Sequence, residues 1–152
     1  MRFLFLLVLL IGLGCGFLYP WGVRNFSGHD LGTWRVYDRT AGFKPVEAQL
    51  DWSDAPVRVL IDLTVLGTFN QSQKSTVLTL TAATAGHTVM AETMTFIDAT
   101  ERKESPQNPE RILRAEAGVL SKLDSGAYTF TVGQGDMDEI QMRAVDLILR
   151  GG

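Results

Sequence analysis

"VRVLIDLTVL", residues 57–66, places a branched or aliphatic side chain at every second position. Successive side chains of a β-strand point to opposite faces, so this alternation is typical of a strand with one buried face. The opposite face mixes aliphatic with polar residues. The segment therefore predicts a strand in the core of a β-rich domain. Its predicted inward side chains are Val57, Val59, Ile61, Leu63 and Val65.

Alternation also marks "VEAQLDW", residues 46–52, in which Trp52 has the same phase as Leu50. Trp34 shares its phase with Val36 in the same way. We therefore expect both tryptophans to pack in the core or at the end of a sheet. The alternative is an exposed tryptophan that serves as a stacking platform for a sugar.

Two segments rich in Thr and Val predict a hairpin. They are "STVLTLTAAT", residues 75–84, and "HTVMAETMTFI", residues 87–97. Only Ala85-Gly86 lies between them, which favours a tight turn.

The last apolar segment changes phase within itself. Ile140, Met142 and Ala144 share one phase, whereas Val145 and Leu147 share the other. A strand with one buried face cannot change phase without an extra residue, so we expect a β-bulge or bend near Ala144.

Residues 109–118 are ambiguous. Asn108 before Pro109, with Gly118 beyond, is typical of a capped helix. Leu113 and Ala115 with strand spacing favour a β-strand. The strand is preferred here, with a single helical turn as the alternative.

About eight strands joined by short turns predict an all-β domain, an antiparallel two-sheet sandwich of immunoglobulin-like or jelly-roll-like type. "LDSGAYTF", residues 123–130, resembles the Asp-x-Gly-x-Tyr stretch of immunoglobulin-like sandwiches. The resemblance implies that the hydroxyl of Tyr128 bonds back to nearby backbone. Phe130 and Val132 have the phase of Tyr128, and all three are expected to face inward.

The chain begins with an apolar run, residues 3–19, that contains no charged side chain. As a helix, these 17 residues would cover about 25 Å, near the lower limit for crossing a bilayer. Tyr19, Trp21 and Arg24 follow, in the arrangement expected at a membrane interface. Arg2 favours an amino terminus inside and a domain outside.

We therefore expect a transmembrane signal-anchor helix at residues 1–22, a short connector at 23–32 and a periplasmic β-sandwich at 33–152. One alternative is a signal peptide cleaved after Gly16. The other is lipidation of Cys15, the only cysteine in the chain.

Gly12 and Gly16 form a G-x-x-x-G pair, which lets two transmembrane helices approach closely. The pair predicts a helix–helix contact in the membrane, either with another integral membrane protein or by self-association.

Charge argues against a nucleic-acid surface. The chain holds 14 basic and 17 acidic residues. Two of the basic residues, Arg2 and Arg24, flank the apolar run, and the remainder is net negative. A nucleic-acid surface needs clustered Lys and Arg. A cysteine-free domain outside the cytoplasm is compatible with a bacterial periplasm and has no internal disulfide.

Candidate chemistry is sparse. His29-Asp30 and His87 are expected to be polar loop residues, and no nucleophile–base pair is evident. The segment "GQGDMDE" is predicted to be a loop, and it contains Asp136, Asp138 and Glu139. Their carboxylates supply the hard oxygen ligands that Ca²⁺ prefers. A solvated acidic loop is the plainer interpretation.

These observations predict a non-enzymatic protein without a cofactor, anchored by a single pass in the bacterial inner membrane with its sandwich in the periplasm. Its expected role is that of an accessory or assembly subunit of a membrane complex. The alternative is a membrane-tethered binding module for a carbohydrate or small ligand, with calcium as a candidate ion.

Overall fold

The computed structural model describes residues 28–66, 76–96, 100–102, 110–137 and 142–152. Within these ranges the chain forms ten β-strands and one short 3₁₀ helix, Trp52–Asp54. In chain order the strands are β1 (His29–Asp38), β2 (Gly42–Phe43), β3 (Val46–Leu50), β4 (Val57–Leu66), β5 (Thr76–Thr84), β6 (His87–Thr95), β7 (Thr100–Arg102), β8 (Glu110–Leu120), β9 (Gly126–Met137) and β10 (Met142–Gly151).

The strands pair into two antiparallel sheets. One has six strands in the order β2-β1-β10-β4-β8-β7, and the other has four in the order β3-β9-β5-β6. Eight of the described strands have five residues or more, and β2 and β7 are shorter. The prediction of an all-β, antiparallel two-sheet sandwich is confirmed. The first long strand, β1, pairs with the last, β10, whereas the immunoglobulin order pairs the first strand with the second.

The core forms between the sheets, with β4 and β10 as the two central strands of the larger sheet. All five predicted inward side chains of β4 are fully buried and pack in one cluster with inward residues of the smaller sheet. Full burial of one such side chain contributes about 1.5–3 kcal/mol to folding, so this strand is a major source of stability.

The phase change in β10 is resolved by a bulge. The register between β10 and β4 shifts between Met142 and Ala144, with Arg143 as the extra residue. Met142 lies in the core, Arg143 is exposed, and Val145 is again in the core. The bulge predicted near Ala144 is confirmed, and it lets both apolar phases of the segment be buried.

Residues 110–118 form a strand, as preferred from the sequence, and belong to β8. Leu113 is buried, and Ala115 and Ala117 pack against the core from partly buried positions. β8 pairs with β4 along most of its length, and this pairing supplies the backbone hydrogen bonds that a helix would have made within itself.

The predicted hairpin is also present. β5 and β6 are joined by Ala85 and Gly86, which both have positive φ, of 48° and 78°. Positive φ at both central residues matches the twist of antiparallel strands and explains the glycine at the second position.

The tryptophan prediction is right for Trp34 and wrong for Trp52. Trp34 in β1 packs against the core, whereas Trp52 begins the 3₁₀ helix and is 71% exposed. The carboxylate of Asp51 accepts the backbone N–H of Ser53, and the carboxylate of Asp54 accepts the backbone N–H of Asp51. This reciprocal capping ends the alternation before the tryptophan.

Candidate functional site

The predicted membrane residues Gly12, Gly16, Tyr19, Trp21 and Arg24 lie outside the described residues. In the part of the chain that the structure describes, no helix has the length and apolar character needed to cross a bilayer.

The acidic segment is only partly described. β9 continues as far as Met137, so the backbone of Asp136 lies in a strand and not in the predicted loop. Asp138 and Glu139 lie outside the described residues. Within the described ranges, no three His, Cys, Asp or Glu side chains come together in a way that would hold a metal ion.

The best-defined candidate site is one end of the sandwich, which we call the proximal end because the chain enters the domain there. β1 begins at this end, inside the segment 23–32 that was predicted as a connector. His29 is opposite Gly151, Gly151 is opposite Val57, and Leu50 is opposite Gly126 in the smaller sheet. The proximal end is therefore made by these strand ends, the 3₁₀ helix and residues 121–125.

His29 is tied to the 3₁₀ helix at this end. Its Nε2 lies 3.3 Å from Oδ1 of Asp54, and its Nδ1 is buried with no hydrogen-bond partner among the residues that the structure describes. The predicted neighbour Asp30 instead accepts the backbone N–H of Gly32 at 3.1 Å. The imidazole therefore joins the start of β1 to the segment that carries Trp52, through a residue 25 positions away.

Trp52 stands beside a second polar contact. Its backbone N–H lies 3.4 Å from the hydroxyl oxygen of Ser125, in the segment before β9. The indole itself is exposed, and Asp51 and Asp54 flank it in the chain. An aromatic ring with polar groups at its margin can contact a sugar face or lie at a lipid headgroup layer.

The tyrosine predicted from the resemblance has its expected contact. The hydroxyl of Tyr128 donates to the backbone carbonyl of Asp124 at 3.0 Å and accepts the backbone N–H of the same residue at 2.9 Å. Tyr128, Phe130 and Val132 are all buried, as predicted. These contacts fix residues 123–126 at the proximal end beside Trp52.

A second feature lies on the outer face of the six-stranded sheet. Four charged residues are consecutive cross-strand partners there. In order they are Arg35 in β1, Asp146 in β10, Asp62 in β4 and Arg114 in β8. Arg35 Nε lies 2.5 Å from Asp146, and the guanidinium of Arg114 reaches both carboxylate oxygens of Asp62 at 2.6 and 2.7 Å. We call these four residues the charged row.

The charged row is electrically balanced. The hydrogen bond to Asp146 raises the pKa of Arg35, and the hydrogen bond to Asp62 raises the pKa of Arg114. Both guanidinium groups therefore stay charged at physiological pH, with two positive and two negative groups in one line. Arg58 pairs with Glu116, and Arg143 pairs with Glu110, on the same sheet.

Sequence reasoning missed both features. The pattern Asp51-x-x-Asp54 is a signal for a capped turn and could have placed Trp52 outside the strand. The charged row gave no local signal, because its members come from four separate strands.

No protein-family model matches the chain, and no curated protein matches it. One solved structure similar to it is described as "Structure of Eiger TNF from S. frugiperda". The TM-score is 0.38 and the identity 11%, over 82% of this chain and 88% of that chain. A likeness this distant identifies neither a family nor a function.

Proposed function

We propose that the protein is a non-catalytic accessory or assembly subunit, held by one transmembrane helix in the bacterial inner membrane with its sandwich in the periplasm. In this proposal the sandwich is a jelly roll. With the eight long strands lettered A to H in chain order, the sheets have the orders A-H-C-F and B-G-D-E, as in double-sheet jelly rolls.

The observation that carries the proposal is the position at which the domain begins. Only four residues separate Arg24, predicted at the membrane interface, from His29, the first residue of β1. Five extended residue steps span at most about 18 Å. A domain held this close to the bilayer is well placed to dock on the extramembrane part of another membrane protein.

The charged row supports a protein partner for the outer sheet face. Its guanidinium and carboxylate groups are already held by neighbours, so a partner meets fixed charges of both signs. Such surfaces give specificity and register to protein contacts. They offer no uniform positive field for nucleic acid.

The test is gentle detergent extraction of the full chain from membranes, followed by mass determination of the complex. We expect a defined larger complex that is lost when Gly12 and Gly16 are both replaced by isoleucine. A chain that stays monomeric in bilayers, or a mature chain that begins downstream of Gly16, would contradict the proposal. Gly14→Ile, away from the predicted contact face, is the matched control.

A second candidate function is binding of a carbohydrate or small ligand, favoured by the exposed Trp52 beside Asp51, Asp54 and Ser125. Tryptophan faces bind sugar rings by stacking, and carboxylates that flank the ring in the chain can accept hydrogen bonds from sugar hydroxyls. Titration with chitotriose, followed by tryptophan fluorescence, tests it. A saturable change that disappears in Trp52→Ala would support a sugar site, and no change would count against this class of ligand.

Calcium belongs to this second candidate through Asp136, Asp138 and Glu139. Thermal unfolding of the chain with and without millimolar calcium tests it. An unchanged Tm would remove the ion from the proposal.

A further inference from the structure

The most exposed large hydrophobic side chain of the described residues is Trp52, at the proximal end. Among the described residues, the large hydrophobic side chains that stand exposed are Trp52 at 71%, Val89 at 45% and Val119 at 43%. Val89 is the third residue of β6 after the hairpin turn, and Val119 is the second-last residue of β8. Val89 and Val119 lie in different sheets, and exposed hydrophobics that are singly scattered need no explanation. Trp52 differs because it stands at the proximal end, in the 3₁₀ helix that contacts His29.

The same end receives the chain from the proposed anchor. His29 begins β1 and contacts Asp54, which belongs to the same 3₁₀ helix as Trp52. The tryptophan is therefore linked to the first residue of β1 by one side-chain contact, between His29 and Asp54 of the same 3₁₀ helix. The short connector that limits the distance of His29 from the bilayer limits that of Trp52 as well.

Charge indicates which lipid surface fits. Trp52 lies between Asp51 and Asp54 in the chain, and Asp124 is exposed at the same end, as are the basic residues Lys122 and Arg150. An anionic lipid surface would attract the basic residues but repel the carboxylates that flank Trp52 in the chain. Neutral, zwitterionic headgroups carry no such repulsion, and tryptophan is enriched where headgroups meet hydrocarbon.

We propose that the proximal end rests on the bilayer, with the indole of Trp52 in the headgroup layer of zwitterionic lipid. This inference rests on the proposed membrane anchor. It adds a second point of attachment, which would fix the tilt of the sandwich and so the direction in which its outer sheet face points.

The test uses the full chain in phosphatidylcholine nanodiscs containing lipid with a spin label at the headgroup. Trp21→Phe with Trp34→Phe leaves Trp52 as the only tryptophan. We expect its emission to be quenched, because an indole in the headgroup layer lies at the same depth as the label. A second measurement leaves Trp21 and Trp34 in place. The quenched emission of Trp52→Phe is subtracted from that of the wild-type chain, and the difference is the contribution of Trp52.

Two single-tryptophan chains are controls. Trp34 alone, packed against the core in β1, should be quenched much less than Trp52. Trp21 alone reports on the anchor. Quenching of Trp21 without quenching of Trp52 overturns this inference and leaves the proposed function standing, whereas loss of the chain from the nanodisc overturns both.

Two further readouts separate the possible occupants. Replacing part of the phosphatidylcholine with anionic phosphatidylglycerol should reduce the quenching of Trp52, and an increase would contradict the charge argument. If chitotriose changes the emission of Trp52 while the labelled lipid does not, the surface binds sugar and the lipid inference is wrong.

Discussion

Asp62 in β4 and Asp146 in β10 face each other directly at the centre of the six-stranded sheet. Like charges directly opposite on neighbouring strands destabilise a sheet. Here each carboxylate has an arginine on its other side, Arg114 for Asp62 and Arg35 for Asp146. The repulsion is therefore offset on both sides, and the four residues favour the register in which these strands pair.

The two arginines should differ in their contribution to stability. Arg114→Met leaves the nearly buried Asp62 without its ion pair, and we expect the free energy of unfolding to fall by about 3 kcal/mol. Arg35 is more exposed, so Arg35→Met should cost about 1 kcal/mol or less. Urea unfolding followed by circular dichroism measures both. Equal losses would show that burial does not decide the strength of these pairs.

The hydroxyl of Tyr128 should contribute to stability through its contacts with Asp124. Tyr128→Phe removes both hydrogen bonds and should lower the free energy of unfolding by about 1–2 kcal/mol. Tyr37→Phe is the matched control, because the ring contact of Tyr37 with Phe43, at 4.6 Å between centroids, does not need a hydroxyl. Thermal unfolding of both variants is the measurement, and a smaller loss for Tyr128→Phe than for Tyr37→Phe would contradict the prediction.

Gly151 should be required for the position of His29. A Cβ at Gly151 would lie 2.3 Å from Cε1 of the imidazole, so Gly151→Ala must displace the ring from Asp54. We expect a loss of about 1 kcal/mol in the free energy of unfolding. In a His29→Ala background the same substitution should cost much less, because the clash is absent. If Gly151→Ala lowers the free energy of unfolding equally in the His29→Ala variant, this explanation is wrong.

Acid should loosen the turn after β1. The carboxylate of Asp38 accepts the hydroxyl and the backbone N–H of Thr40, and these bonds lower the pKa of Asp38. Because the folded pKa lies below the unfolded one, the stabilisation is present above the unfolded pKa and is lost as pH falls through the folded pKa. We expect the Thr40 amide resonance to shift as pH falls below about 4. Asp38→Asn should lack that transition, and its persistence there would implicate another group.

The order of apolar and polar residues along the chain predicted those strand features that depend on neighbouring residues. The alternation of residues 57–66 identified a buried strand face, and the phase change after Met142 required a bulge. The start of β1 was missed because residues 28–32 contain two glycines and a polar pair. Its strand geometry comes from pairing with β10, more than a hundred residues away in the chain.

The candidate site was less predictable than the fold. Trp52 has the phase of a core residue, and only the capping by Asp51 and Asp54 removes it from the strand. Likewise, no neighbour in the chain indicates that Asp62 meets Asp146, because their contact depends on which strands become adjacent.

The pairing of β1 with β10 has a mechanical consequence. β1 begins at His29 and β10 ends at Gly151, and these two residues are partners at the same end of the sandwich. A force that pulls the chain before His29 away from the chain after Gly151 would separate β1 from β10 one residue pair at a time. The backbone hydrogen bonds nearest His29 and Gly151 would break first. The force needed to unfold the domain in that direction would therefore be low, whatever its thermal unfolding temperature.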